Sequence, residues 1–211
     1  MQENLKKYSI LQKFNVSRET CIDFERFVDL IITKNSEINL ISKKSEKIIR
    51  ERHIIDCAQA IDFIELNENN CSDIGTGGGF PGIILAIITK NANCHIKFNF
   101  FEKSYHKSLF LKQVSTKLNL NTEIFQKDVF EDQYQTSGTV IARAFKPLPV
   151  VLELINKNFI NCKNLIVFMG KNGKQILKDA FKQWDFEYTE KKSLTSDDSF
   201  LLSIKNIKKK N

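Results

Sequence analysis

Ten residues carry the most chemistry in this chain: Asp73-Ile74-Gly75-Thr76-Gly77-Gly78-Gly79-Phe80-Pro81-Gly82, which hold five of its eight glycines. Glycine costs backbone entropy, so such a cluster implies a chain path or a close approach that other residues cannot make. Gly75-Thr76-Gly77 follows a short expected strand, Pro81 stands where a first helical position is expected, and an apolar segment, Ile83 to Ile88, comes next. A strand, a bare-amide turn and a helix N-terminus in that order form a nucleotide-type site.

Two chemistries fit the loop. Gly77, Gly79 and Gly82 satisfy Gly-x-Gly-x-x-Gly, and Glu102 follows about twenty residues later, where a carboxylate takes ribose hydroxyls in a dinucleotide site. Read from Asp73, the same stretch is Asp-x-Gly-x-Gly-x-Gly, a loop associated with S-adenosylmethionine (SAM) enzymes. There the acidic residue can orient the cofactor's cationic amino-acid end, and Glu102 keeps its ribose role. Asp73, a terminal strand pair and the lack of a second substrate domain tilt the reading towards SAM. An NAD-dependent oxidoreductase and a non-catalytic RNA-binding assembly module remain alternatives.

The elements that must position this loop follow from periodicity. Leu5, Tyr8, Leu11 and Phe14, then Cys21, Phe24, Val28 and Ile31 behind a cap at Ser17, fall at helical spacing. Ser45 reads as the cap of a further helix carrying Ile48, Ile49, Ile55 and Ile61. Residues 1–66 are thus expected to be a helical extension packed on a core of residues 67–211. In that core, strands are expected near 71–75, 95–101, 122–126, 138–142 and 164–168, and helices near 81–90, 105–118, 148–158 and 173–182. This alternation argues for a parallel sheet covered on both faces. Phe186 to Lys192 and Phe200 to Lys205 read as a closing antiparallel pair around Thr195-Ser196-Asp197-Asp198.

Composition narrows the class. The chain has 211 residues, a hydrophobic fraction of 42% and a charged fraction of 27%, ordinary for a soluble globular protein. No stretch approaches membrane-spanning length, and the N-terminus lacks the apolar run of a signal peptide. Cys21, Cys57, Cys71, Cys94 and Cys162 are scattered, which argues against a disulfide framework or a metal site and suits a cytoplasmic address. A net charge of +7 favours an acidic partner such as nucleic acid, although a Lys-, Asn- and Ile-rich composition could supply the same lysines with no partner.

With these residues in place, the chain resembles the RsmG (GidB) family of bacterial 16S ribosomal RNA guanine-N7 methyltransferases. The resemblance covers nearly the whole chain: the loop with its Phe80-Pro81-Gly82 extension, Asn39-Leu40-Ile41-Ser42, Arg52-His53-Ile54-Ile55-Asp56, Lys107 to Leu111, and Ala142-Arg143-Ala144-Phe145. It implies a Rossmann-like class I SAM-dependent methyltransferase, with a seven-stranded, mostly parallel sheet and an antiparallel terminal strand. The cofactor residues it implies are Gly75, Gly77, Phe80, Glu102, Asp128, Val129, Phe130 and Arg143, beside Asp73. The implied substrate is 16S ribosomal RNA within a small-subunit particle, and the chain is expected to act as a monomer.

Attack by guanine N7 needs no deprotonation, so no general base is expected and positioning dominates. Candidate positioning residues are Arg143, His53 and Asn39, each with a structural alternative: an ion pair for Arg143, packing or capping for His53, a pinned loop for Asn39. Arg52 and Lys171 are RNA-contact candidates; Lys171 lies two places beyond Met169, where the family often has lysine. Lys43, Lys44, Lys47 and Arg50 could extend a phosphate-facing surface, with Lys208-Lys209-Lys210 as a mobile basic tail.

Overall fold

The computed structural model describes residues 7–14, 16–131 and 135–210. Seven strands form one sheet: β1 (Asn70–Ile74), β2 (Lys97–Phe101), β3 (Thr122–Phe125), β4 (Thr139–Ala142), β5 (Asn164–Met169), β6 (Trp184–Lys192) and β7 (Phe200–Lys209). Their order is β3-β2-β1-β4-β5-β7-β6, with β7 antiparallel to both neighbours and the remaining pairs parallel. Gln135–Thr136 and Phe159–Ile160 make a separate two-residue parallel pair.

Among the described residues, five helices of eight residues or more cover the sheet: α1 (Arg18–Asn35), α2 (Gly82–Asn91), α3 (Tyr105–Lys117), α4 (Leu148–Asn158) and α5 (Gly173–Ala180). Strand alternation splits the core between two faces, as a pleated strand buried on both sides must. On β4 and β5, Ile141 and Ile166 join a cluster with α1, α2 and α3, including Phe24, Phe27, Ile84, Phe110 and Leu111. Val140, Ala142, Leu165 and Val167 point the other way, onto Leu152 and Ile155 of α4 and Leu177 of α5. The N-terminal residues therefore share the core under α2, and Lys90 at the end of α2 donates to buried Asp23 of α1 at 2.6 Å.

The elements from residue 70 onward fall close to the expected ranges; the N-terminal ones depart in three ways. Ser17 does cap α1, accepting from Thr20 N at 3.2 Å, whereas Ser9–Phe14 is a 3-10 turn and Leu5 lies outside the described residues. The next cap is Ser42, one turn before Ser45: its Oγ accepts from Ser45 N at 3.2 Å, and Ser45 itself is buried inside the turn Lys43–Glu46. The expected single helix is instead a chain of short turns, with a π-helical stretch Arg50–Ile55, then Asp56–Ala58 and Gln59–Phe63. The basic end is also ordered: Lys208 and Lys209 belong to β7, and Lys210 pairs with Asp185 at 3.2 Å. Among the described residues no helix is long and apolar enough to cross a membrane.

Candidate functional site

Register places the site. Ile74 lies level with Phe101 of β2 and with Ala142 of β4, so the next residues of each strand, Gly75, Glu102 and Arg143, share one row at the carboxyl edge. The sheet reverses its winding between β1 and β4, and this is where open α/β sheets bind ligands.

The glycine loop is fixed by two carboxylates. Asp73 is buried at the end of β1, and its Oδ2 accepts from Thr76 Oγ1 at 2.7 Å and from Gly82 N at 2.8 Å. Burial pushes its carboxyl up to about 6, and Oδ1 has no partner among the described residues. Glu102 Oε2 accepts from Gly77 N at 2.9 Å while Oε1 accepts from Ser104 N at 2.8 Å. Gly75 has φ +65°, and an added Cβ would stand 2.2 Å from the Phe145 ring. A Cβ on Gly82 would meet the Phe100 ring at 2.3 Å and Asp73 Oδ2 at 2.6 Å. Gly77 differs: the nearest atom to its added Cβ is 3.9 Å away. The uncrowded Gly77, an anchored carboxylate at Glu102 and the unmatched Asp73 oxygen fit the sugar and amino-acid ends of SAM.

The remaining expected cofactor residues spread around this row. Asp128 follows β3, with Oδ1 accepting from Phe130 N at 3.1 Å and Lys103 lying 4.0 Å from Oδ2. Val129 is buried; Phe130 is exposed and stacks on Phe145 at 5.8 Å. Phe80 is buried, with its ring against Phe27 and His53.

Arg143 turns its fork towards the N-terminal segment. Nη2 donates to Arg52 O at 2.8 Å and Asp56 Oδ2 at 3.0 Å, Nη1 lies 3.1 Å from His53 Nδ1, and the guanidinium sits over the Phe168 ring. The structural alternative for Arg143, an ion pair, is therefore realised. Burial first, then the Arg143 and Arg52 charges, holds His53 down at about 3. These residues line a cleft of about 510 Å³ with Ile48, Glu51, Met169, Gly170 and the hydroxyl-rich turn Thr195, Ser196 and Ser199.

Two sites missed in the sequence lie in this region. Asn35 pins the 39–42 loop: its Oδ1 accepts from Leu40 N at 2.8 Å and Ile41 N at 2.9 Å, whereas Asn39, a positioning candidate whose structural alternative is this pin, is exposed. Asp56, which carried only a resemblance, joins three distant segments. Arg50 leaves the expected basic surface to make a two-pronged pair with Glu25, at 2.8 and 2.7 Å. Arg52, Lys43, Lys44, Lys47 and Lys171 are exposed.

Comparison with known proteins adds identity to this geometry. A family profile described as "GidB: rRNA small subunit methyltransferase G" matches residues 20–200. The Ribosomal RNA small subunit methyltransferase G of Pelagibacter ubique is 54% identical over 213 residues, covering all of both chains. That of Bartonella tribocorum is 33% identical over 92% of this chain and 91% of its own. Among solved structures, a SAM-dependent methyltransferase from Aquifex aeolicus superposes with a TM-score of 0.54 at 15% identity, covering 79% of this chain and 94% of that one. The M. capricolum TrmK complex with S-adenosylhomocysteine gives 0.53 at 15% identity, over 79% and 69%. At that identity the likeness is one of fold, the Rossmann-like methyltransferase fold.

Proposed function

The chain belongs to the GidB family of small-subunit ribosomal RNA methyltransferases, and on that premise we propose that it methylates N7 of one guanine in 16S ribosomal RNA. It is a SAM-dependent rRNA methyltransferase. SAM supplies the methyl group on a cationic sulfur. Gly75, Gly77 and Glu102 hold its sugar and amino-acid parts beside Asp73; Asp128, Val129 and Phe130 border its base; Phe80 and Arg143 close the end nearest the RNA.

The observation that carries the N7 reading is how the ionisable groups beside Arg143 are spent. Asp56 accepts from Arg143, Gln59, Ser193 and Thr195, and His53 has Nδ1 against a guanidinium. Neither is free to take a proton from the substrate. N7 needs no such step, because it presents a lone pair, so alignment is the chain's task. A-form pairing buries N7 in a narrow groove, so the target guanine lies in a loop or leaves its stack. The exposed cations Lys43, Lys44, Lys47, Arg52, Lys146 and Lys171 draw in phosphates. Residues 1–66 act as the RNA-facing extension and 67–211 as the transfer core, in a cytoplasmic monomer working on a small-subunit particle. The nicotinamide and non-catalytic alternatives are not retained.

The test is incubation with SAM and small subunits from a strain lacking the activity, then borohydride and aniline treatment of the RNA, which cleaves at 7-methylguanosine. One SAM-dependent break in 16S RNA is expected. Methyl incorporation without scission would assign another atom.

A further inference from the structure

One carboxylate organises the cleft between the Arg52–Asp56 segment, Arg143 and the Thr195–Ser199 turn. Asp56 Oδ2 accepts from Arg143 Nη2 at 3.0 Å, and Oδ1 accepts from Gln59 Nε2 at 2.9 Å, Ser193 Oγ at 3.1 Å and Thr195 Oγ1 at 3.2 Å. It therefore ties the end of β4 to the β6–β7 turn. Arg143 is then committed: its second nitrogen lies 3.1 Å from His53 Nδ1. A guanidinium keeps all its protons, so Nδ1 is the acceptor and the imidazole proton sits on Nε2. That Nε2 is buried and has no partner among the described residues. The ring is stacked on Phe80, directly after the glycine loop, at 4.7 Å and 29°. A buried donor left unmet is costly, and this one belongs to a ring in contact with the glycine loop through Phe80.

We propose that Asp56 is a positioning residue for methyl transfer, holding the Arg143 fork so that His53 keeps its proton on Nε2 and offers it to an acceptor oxygen of the bound reactants. This rests on the N7 reading above. Two oxygens have the required chemistry: guanine O6, the neighbour of N7, and the carboxylate of SAM's amino-acid part. A neutral donor serves either without adding positive charge beside a base that becomes cationic on methylation. A protonated imidazole would oppose that charge. The charged groups acting on His53 are Arg143 and Arg52; burial and these two guanidiniums disfavour its protonation.

Nitrogen-15 spectra of the full chain test this directly, because it has only three histidines, His53, His95 and His106, and His53→Gln assigns the signal. His53 is expected as the neutral Nε2–H form from pH 5 to 8. S-adenosylhomocysteine alone shifts the Nε2–H resonance if the carboxylate is its acceptor; further addition of small-subunit RNA shifts it if O6 is. In Asp56→Asn the tautomer becomes mixed and kcat falls at least tenfold; SAM affinity stays within about threefold where O6 is the acceptor and weakens where the carboxylate is; Asp56→Glu recovers part of the rate. His53→Gln, which retains an acceptor and a donor, keeps at least tenfold more activity than His53→Phe, which retains only the stack. A proton on Nδ1, an imidazolium at pH 7, no response to either ligand, or wild-type kcat in a folded Asp56→Asn would overturn the proposal. The spectra of the free chain need no RNA product, so a wrong target atom, seen as methylation without scission, is distinguishable from a wrong role for Asp56.

Discussion

The glycine loop and the Arg52–Asp56 segment meet where His53 stacks on Phe80, yet they are held by different kinds of bond. The loop is fastened mainly through backbone amides, Gly77 N and Gly82 N, to carboxylates at the ends of adjacent strands. The Asp56 wall is fastened mainly by side chains from segments 87 and 137 residues apart, Arg143 and Ser193 meeting Asp56. A backbone-held loop resists most substitutions except those that add a Cβ. A network held by side chains depends on each member, and its central carboxylate most of all.

The largest effect that follows is for Asp56→Ala. It leaves the half-buried Arg143 charge without its counterion, and a loss of about 3 kcal/mol is expected by urea unfolding, near the low end for a broken buried pair. A loss under about 1 kcal/mol would erase the contrast between the walls. Next come two glycines of the loop. Gly82→Ala forces a Cβ against the buried Phe100 ring and is expected to cost about 2 kcal/mol, in the range of overpacked cores. Gly77→Ala meets only an ordinary contact, at 3.9 Å, and carries the positive-φ penalty, about 1 kcal/mol. Equal losses at both positions would mean that backbone conformation, rather than close approach, sets the loop's demand for glycine.

Acid separates the walls by sign. Asp73 has a folded pKa near 6, above its unfolded value, so its folded form binds the proton more readily and its contribution to stability improves as pH falls from about 6 to 4. His53, held at about 3, is lower folded than unfolded; the unfolded chain takes the proton first, and stability is lost as pH falls from about 6.5 towards 3. His53→Phe should therefore flatten the acid-side loss in a series of unfolding midpoints, and Asp73→Asn should steepen it. The same slope in both variants would contradict the assignment. The smallest effect is at the rim: Lys171→Ala should weaken RNA binding uniformly and reduce the slope of log affinity against log salt by about 1.

How much of the molecule is legible in its sequence follows the same division. From Asn70 onward, apolar runs, glycine, proline and polar turns punctuate each strand and helix, so order and approximate bounds can be read from periodicity. The loop is legible because a dense run of glycines suits few backbone paths besides a ligand-binding turn. Residues 35–63 are not. Ser42 and Ser45 are one turn apart and both suit a cap, so spacing cannot choose between them. Ile48, Ile49, Ile55 and Ile61 suit one helix, but the chain runs through a π-helical stretch in which Arg143 binds the Arg52 carbonyl. Arg50 reads as part of a basic surface because its partner, Glu25, is 25 residues away. Asn39 sits in the 39–42 loop and Asn35 outside it, yet it is Asn35 that folds back, a choice set by the end of α1 rather than by spacing. The polar hub at Asp56 needs three segments brought together by tertiary packing, which local pattern does not report.

The central claim is a division of labour, with SAM held by the glycine loop and the substrate guanine aligned by the Asp56 wall. Calorimetric titration of SAM into wild type, Glu102→Gln and Asp56→Asn tests it most directly, with thermal melts confirming that each variant is folded. Glu102→Gln should weaken SAM binding at least tenfold, because the amide cannot accept from both Gly77 N and Ser104 N with two charged oxygens. Asp56→Asn should stay within about threefold of wild type, which also requires guanine O6, rather than SAM's carboxylate, to be the acceptor of the His53 proton. Equal weakening in both variants would show that the two walls bind the cofactor together and would contradict the division.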